Sequence, residues 1–150
     1  MPPSTIHKPV GAAAGAALGL AMAHAQRPND ILLEVLAAGF TGYHAAKLPD
    51  VIDPPIHPRH RSVGHGVLSA GPVIAWILHE LKEWQDALRT ASQRATTRAD
   101  EATSSWERLG HQIVAVLLRL LAGALAGFVG GYGSHLAMDA CTKSGLPVFA

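Results

Sequence analysis

Apolar residues fill four stretches of the chain, 10–23, 31–46, 66–81 and 113–138, and few charges interrupt them. Glu34 and His44 break the second stretch, and Arg119 is the only formal charge in the fourth. Continuous apolar runs of this length predict helices, because strands are shorter and alternate when half-buried. No stretch predicts a strand. The breaks agree with this division. Arg27-Pro28-Asn29-Asp30 reads as a turn in which Asn29 or Asp30 caps the second helix. Pro49 stops that helix, since proline disfavours helical backbone in the residue before it. The following "LPDVIDPPIHPRHRSVGH" holds four prolines and predicts a stiff, partly extended loop. Pro72 falls in the early turns of the third helix, where it is tolerated.

Segment 82–110 is different in character, being polar and rich in Ala, Thr, Ser and Arg. Its apolar residues Trp84, Leu88, Ala91, Ala95, Ala102, Trp106 and Leu109 recur at roughly helical spacing. That predicts a solvated helical extension or hairpin, with a charged linker as the alternative. The expectation is one all-α domain over 1–150. It is an up-down four-helix bundle, membrane-embedded, with a polar insertion at about 82–110.

Two glycine triplets, Gly11/Gly15/Gly19 and Gly123/Gly127/Gly131, repeat every four residues. Each lays a stripe down one helix face and admits close approach of another backbone. A glycine costs a helix interior about 1 kcal/mol relative to alanine, so two such stripes require a packing reason. Homo-oligomer formation through these stripes is one expected use. They are not a phosphate loop, because no Gly-Lys-Ser/Thr follows and no strand precedes.

Composition narrows the setting. Hydrophobic residues make up 49% of the chain and charged residues 15%, with 12 Lys+Arg against 11 Asp+Glu. That near-balance supplies no basic field for nucleic acid, so a nucleic-acid partner is not expected. The single cysteine, Cys141, excludes an intrachain disulfide. Segment 113–138 is long enough to span a hydrocarbon core, which takes about 20 residues, whereas 10–23 and 31–46 are marginal. Trp84 and Trp106 sit where an interfacial belt would place them. The expected location is therefore the membrane, with lipid as a partner. Lysine and arginine do not orient the chain: Lys8, Lys47, Arg59, Arg61 and Lys143 at one end face Arg27, Lys82, Arg89, Arg94, Arg98 and Arg108 at the other. The Gly/Ala-rich stretch after Lys8 resembles a signal peptide, but it makes a weak export core and is read as the first helix.

Nine histidines stand out. Folding four helices up-down-up-down brings the starts of the first and third to the ends of the second and fourth. His7, Asp50, Asp53, His57, His60, His65, His135 and Asp139 then converge on one end. His135 and Asp139, at i and i+4, share a helix face. Imidazole nitrogens with carboxylate oxygens suit Zn²⁺ or another transition metal. A dication also removes the cost of carboxylates in an apolar bundle. Asp50, His65, His135 and Asp139 are expected in one metal sphere. His24, His79 and His111 lie toward the other end and are expected at the surface, while His44 is either a supporting donor or packing.

The blocks "KLPDVIDPPIHPRHRSVGH" and "GGYGSHLAMDACTKSGLPVF" resemble the two signature blocks of the YdjM-type (DUF457) membrane-bound metal-dependent hydrolases. The matching residues are His7, Leu48-Pro49-Asp50, Asp53, His60-Arg61 with His65, Ser134-His135 with Asp139, then Thr142, Gly145 and Pro147. Two departures stand out. Asp53 lies three after Asp50 rather than two, and Gly66 stands where many members have serine after the last histidine of the block. The family is distantly similar to zinc-dependent phospholipase C and the S1/P1 nucleases, which implies phosphoester hydrolysis by fold-level analogy. The resemblance implies a divalent metal, Zn²⁺, in one or more ions. His60, His65, His135, Asp50 and Asp139 would be core ligands. His7 and Asp53 would complete the site or act as base, and Arg61 would clamp an anionic substrate oxygen. Two other readings stand beside it. One is a small membrane protein whose metal only staples the loop to the last helix, and the other is an assembly subunit.

Overall fold

A computed structural model of the chain describes residues 4–52 and 67–141. The described residues form five helices and no strand: α1 (Ser4–Ala23), α2 (Pro28–Ala45), the one-turn α3 (Leu48–Ile52), α4 (Val67–Glu101) and α5 (Ser105–Ala140). The all-helical expectation holds, with shifts at the boundaries. α1 starts at Ser4 and carries Pro9 inside. Pro9 is the sixth residue, so it removes one backbone bond, the one to the Thr5 carbonyl, without stopping the helix. α2 starts at Pro28 with Arg27 as N-cap and no side-chain cap. Asn29 and Asp30 therefore lie in the first turn rather than before it, and Asp30 faces the positive end of the helix dipole.

Segment 82–110 is wholly helical apart from a short turn. It is the second half of α4 and the first turns of α5, joined at 102–104. Ser104 caps α5 by accepting a hydrogen bond from the Glu107 backbone N–H at 3.1 Å. The hairpin closes on a seam of mostly small residues. Leu81, Gln85, Ser92, Ala95 and Ala99 on α4, and Ala102 in the turn after it, are buried, facing Ala115, Arg119, Ala122 and Ala126 on α5. Two polar links fix the register: Gln85 Nε2 donates to the Ala122 carbonyl at 2.8 Å, and Ser92 Oγ to the Ala115 carbonyl at 2.9 Å. These pairings run α4 antiparallel to α5.

α5 is the central helix. α4 packs along one side of it, and α1 and α2 pack together on another. Both glycine stripes are consumed in that second contact. A Cβ on Gly127 would run into the Ala38 carbonyl, with the Ala38 Cα at 2.8 Å. One on Gly11 would strike Ala46 and the Gly42 carbonyl. The stripes thus bring α1, α2 and α5 to backbone contact within one chain, and self-association through a free stripe has no surface to use. Gly127→Leu should unfold the α1–α2–α5 unit or cost at least about 3 kcal/mol, whereas Ala124→Leu, at a half-buried edge, should stay within about 1 kcal/mol. Thermal unfolding followed by circular dichroism checks this; equal melting of the two variants would show that the stripe is incidental.

The helices differ in length. α1 and α2 reach about 30 Å, while α4 and α5 run to about 50 Å. The α4–α5 hairpin consequently projects past the start of α2. Among the described residues one helix, Ser105–Ala140, is long and apolar enough to cross a membrane. The outer face of α4 turns polar from Lys82 onward, with Glu83, Asp86, Arg94 and Arg98 exposed.

Candidate metal centre

α2 ends at Ala45, and a helix end leaves backbone carbonyls without intrahelical partners. One of these, the Ala46 carbonyl, meets Nδ1 of His135 at 2.6 Å. A carbonyl only accepts, so Nδ1 carries a proton and Nε2 is the ring nitrogen turned toward the carboxylates. Nε2 lies 3.6 Å from Oδ1 of Asp50 and 3.6 Å from Oδ2 of Asp139. From α1, the His7 ring stacks on His135 with centroids 4.2 Å apart and planes inclined by 28°. Each of His7, His135 and Asp139 offers a donor atom, and these donors lie within 4.8 Å of one another, all buried.

Four helices supply this cluster, each for a local reason. The glycine contacts of α1 with α2 set His7 against α5. The i, i+4 spacing places His135 and Asp139 on one face of the last turns of α5. The turn after α2 leads straight into α3, where Pro49 is buried and Asp50 sits in the first turn. The Asp50 side chain keeps 25% of its surface exposed while those of His135 and Asp139 keep none, so the cluster is closed inside and open at the Asp50 edge.

Of the residues expected at the site, His7, Asp50, His135 and Asp139 come together. Asp53, His60, Arg61 and His65 lie outside the described residues, as do His57, Thr142, Gly145 and Pro147. Ser134 turns its hydroxyl back to the Gly131 carbonyl at 2.8 Å, a helix back-bond. His44 is exposed and packs on Phe40 and Tyr43, with ring centroids 4.7 and 5.2 Å away. The group that orients a site imidazole is instead a backbone carbonyl, that of Ala46, which accepts from His135 Nδ1. His24 and His79 are exposed and His111 is partly so, as expected of surface residues.

A second polar centre was not anticipated. Glu34 is fully buried and receives two arginines. Arg89 reaches it from α4, with Nη2 at 2.6 Å from Oε2 and Nε at 3.1 Å from Oε1. Arg119 reaches it from α5, with Nη1 at 2.9 Å from Oε1. Arg119 also meets Asp30 at 3.2 Å and Gln26 at 3.0 Å, and Arg89 meets Asp86 at 3.2 Å. The sequence signal was present: a lone acid in one apolar helix and a lone base in another are costly alone and tolerable as a pair. Twelve residues of α2 separate Glu34 from Ala46, so the two centres stand about 18 Å apart.

Chemically the centres differ. The Glu34 centre is an ion-pair network held by fork-shaped guanidinium contacts. The His135 centre offers two imidazoles and two carboxylates, a nitrogen and oxygen donor set that fits Zn²⁺. The His135–Ala46 contact is the kind of outer hydrogen bond that orients a metal-binding imidazole. Comparison of the chain with protein-family models, with characterised proteins and with solved structures finds no match.

Proposed function

We propose that the chain is a membrane-associated, metal-dependent hydrolase acting on a phosphoester, with His7, His135, Asp139 and Asp50 holding a divalent ion such as Zn²⁺. The observation that carries this reading is the buried His7–His135–Asp139 group, with the His135 tautomer set by Ala46 so that Nε2 faces both carboxylates. A dication there supplies Lewis acidity toward a phosphoryl oxygen and toward water. Asp50, at the open edge, would hold the ion on the side that substrate and water can reach. The resemblance noted in the sequence adds His60 and His65 as further ligands, Asp53 as a further acid and Arg61 as the clamp on the substrate's anionic oxygens. Membrane contact is assigned to the outer faces of α1 and α2, where Val10, Leu20, Leu36 and Phe40 are exposed. A lipid phosphoester is the substrate this location favours.

The competing reading is a small membrane protein whose metal only staples the loop after α2 to α5, which the complete burial of His135 and Asp139 favours. One pair of measurements separates them. Metal analysis of the purified chain is expected to find zinc or a similar ion at one or more equivalents. Hydrolysis of a generic phosphodiester and of a phospholipid in micelles is expected to stop on chelation and return with Zn²⁺. A metal-loaded chain inert toward every ester class favours the staple, and a chain that binds no metal rejects both.

A further inference from the structure

We infer that the outer strip of α5 is an interface for a second copy of this chain. α5 carries two seams with the alternating four- and three-residue spacing of a coiled coil. The first, Ala115, Arg119, Ala122, Ala126 and Val129, is buried, and its upper part is filled by α4. The second, Trp106, Gly110, Ile113, Leu117 and Leu120, lies on the opposite side of the helix. No described residue fills it over its first half: Trp106 is 84% exposed, Ile113 50% and Leu117 57%. A Cβ on Gly110 would meet nothing within 4 Å, so the strip is open there too.

The occupant follows from where the strip stands. Gly123 faces Glu34, and α2 begins six residues before Glu34, so α5 upstream of about residue 117 runs beyond the end of α2. At that level the other flank of the hairpin exposes Arg94, Arg98, Asp100 and Glu101. A level charged on one flank is not immersed in a bilayer. The described chain breaks off at Ile52, Val67 and Cys141, all at the opposite end of the bundle. The strip is one helix wide and spaced for a helix. With its flanking Leu109 and Val116 it exposes on the order of 600 Å² of apolar surface, against roughly 800 Å² per partner in a standard interface. The same strip on a second copy satisfies all of this at once, because a two-fold pairing sets one patch on itself. The two α5 helices then pack against each other, with each α4 on the outer side of its own α5.

The test uses the full chain in dodecyl maltoside with Cys141→Ser as background. Ile113→Cys, at the middle of the strip, meets its own copy whichever way the helices run. Thr97→Cys, exposed on the outer face of α4, is the control. Mild oxidation is expected to convert most of the Ile113→Cys chain to a disulfide dimer of about twice 15.7 kDa, and little of the Thr97→Cys chain. Adding Leu117→Glu, at a position already exposed, should lower dimer yield at least tenfold without loss of helicity. If Ile113→Cys yields no more dimer than Thr97→Cys, lipid or another protein covers the strip and the proposal fails. A yield unchanged by Leu117→Glu overturns it equally.

Discussion

Asp139→Asn is expected to abolish phosphodiester hydrolysis even when the chain is saturated with Zn²⁺. The substitution keeps size and shape but removes a charge from a fully buried side chain beside His135 Nε2. Weaker metal affinity is one consequence, and excess Zn²⁺ offsets it by mass action. The other consequence survives saturation. With one carboxylate fewer, the charge at the site and the acidity of water there both change, and turnover should fall by at least about a hundredfold. Thermal stability, in contrast, should return close to wild type once metal is restored. A purely structural site would show stability restored and no turnover to lose. Full activity of the refilled variant would remove Asp139 from the chemistry.

His135 and Asp139 could be placed in advance because helix geometry alone puts i and i+4 on one face. Up-down connectivity alone brought His7 and Asp50 to the same end. What sequence could not supply was the support: the Ala46 carbonyl that sets the His135 tautomer belongs to the backbone and leaves no trace in residue type. The polar hairpin was half legible for a related reason. Ala95, Ala99, Ala102 and Ala115 bury completely or nearly so, yet alanines in a Thr- and Arg-rich stretch resemble a solvated helix as much as a seam. Only the facing helix distinguishes the two. The glycine stripes announced close packing but not their partner. Their partner is the α2 face of Glu34, Ala38 and Gly42, which α1 and α5 both approach. Arg89 was the least readable residue, since nothing local separates it from the exposed Arg94 and Arg98 in the same helix.

Glu34→Ala is expected to be the most destabilising change away from the His135 cluster. It leaves the guanidiniums of Arg89 and Arg119, both almost fully buried, without their shared acceptor. Asp86 and Asp30 each still hold one arginine at 3.2 Å, but Asp86 is more than half exposed and its attraction is screened. Breaking a buried pair from one side typically costs about 3–5 kcal/mol, because the remaining charge must stay buried or drag its helix open. In a chain of this size that is a fall in Tm on the order of 10 °C. The network itself need not stabilise the fold relative to an apolar one, since desolvating the ions offsets much of their attraction. Replacing Glu34, Arg89 and Arg119 together by leucine should therefore recover most of the loss, while Glu34→Ala alone should not. Melting of the single and triple variants, followed by circular dichroism, decides it. A single variant within about 1 kcal/mol of wild type would mean that Glu34 does not anchor α4 and α5 to α2. A triple variant no better than the single would mean that the guanidinium forks hold the helix register by their geometry rather than by charge balance.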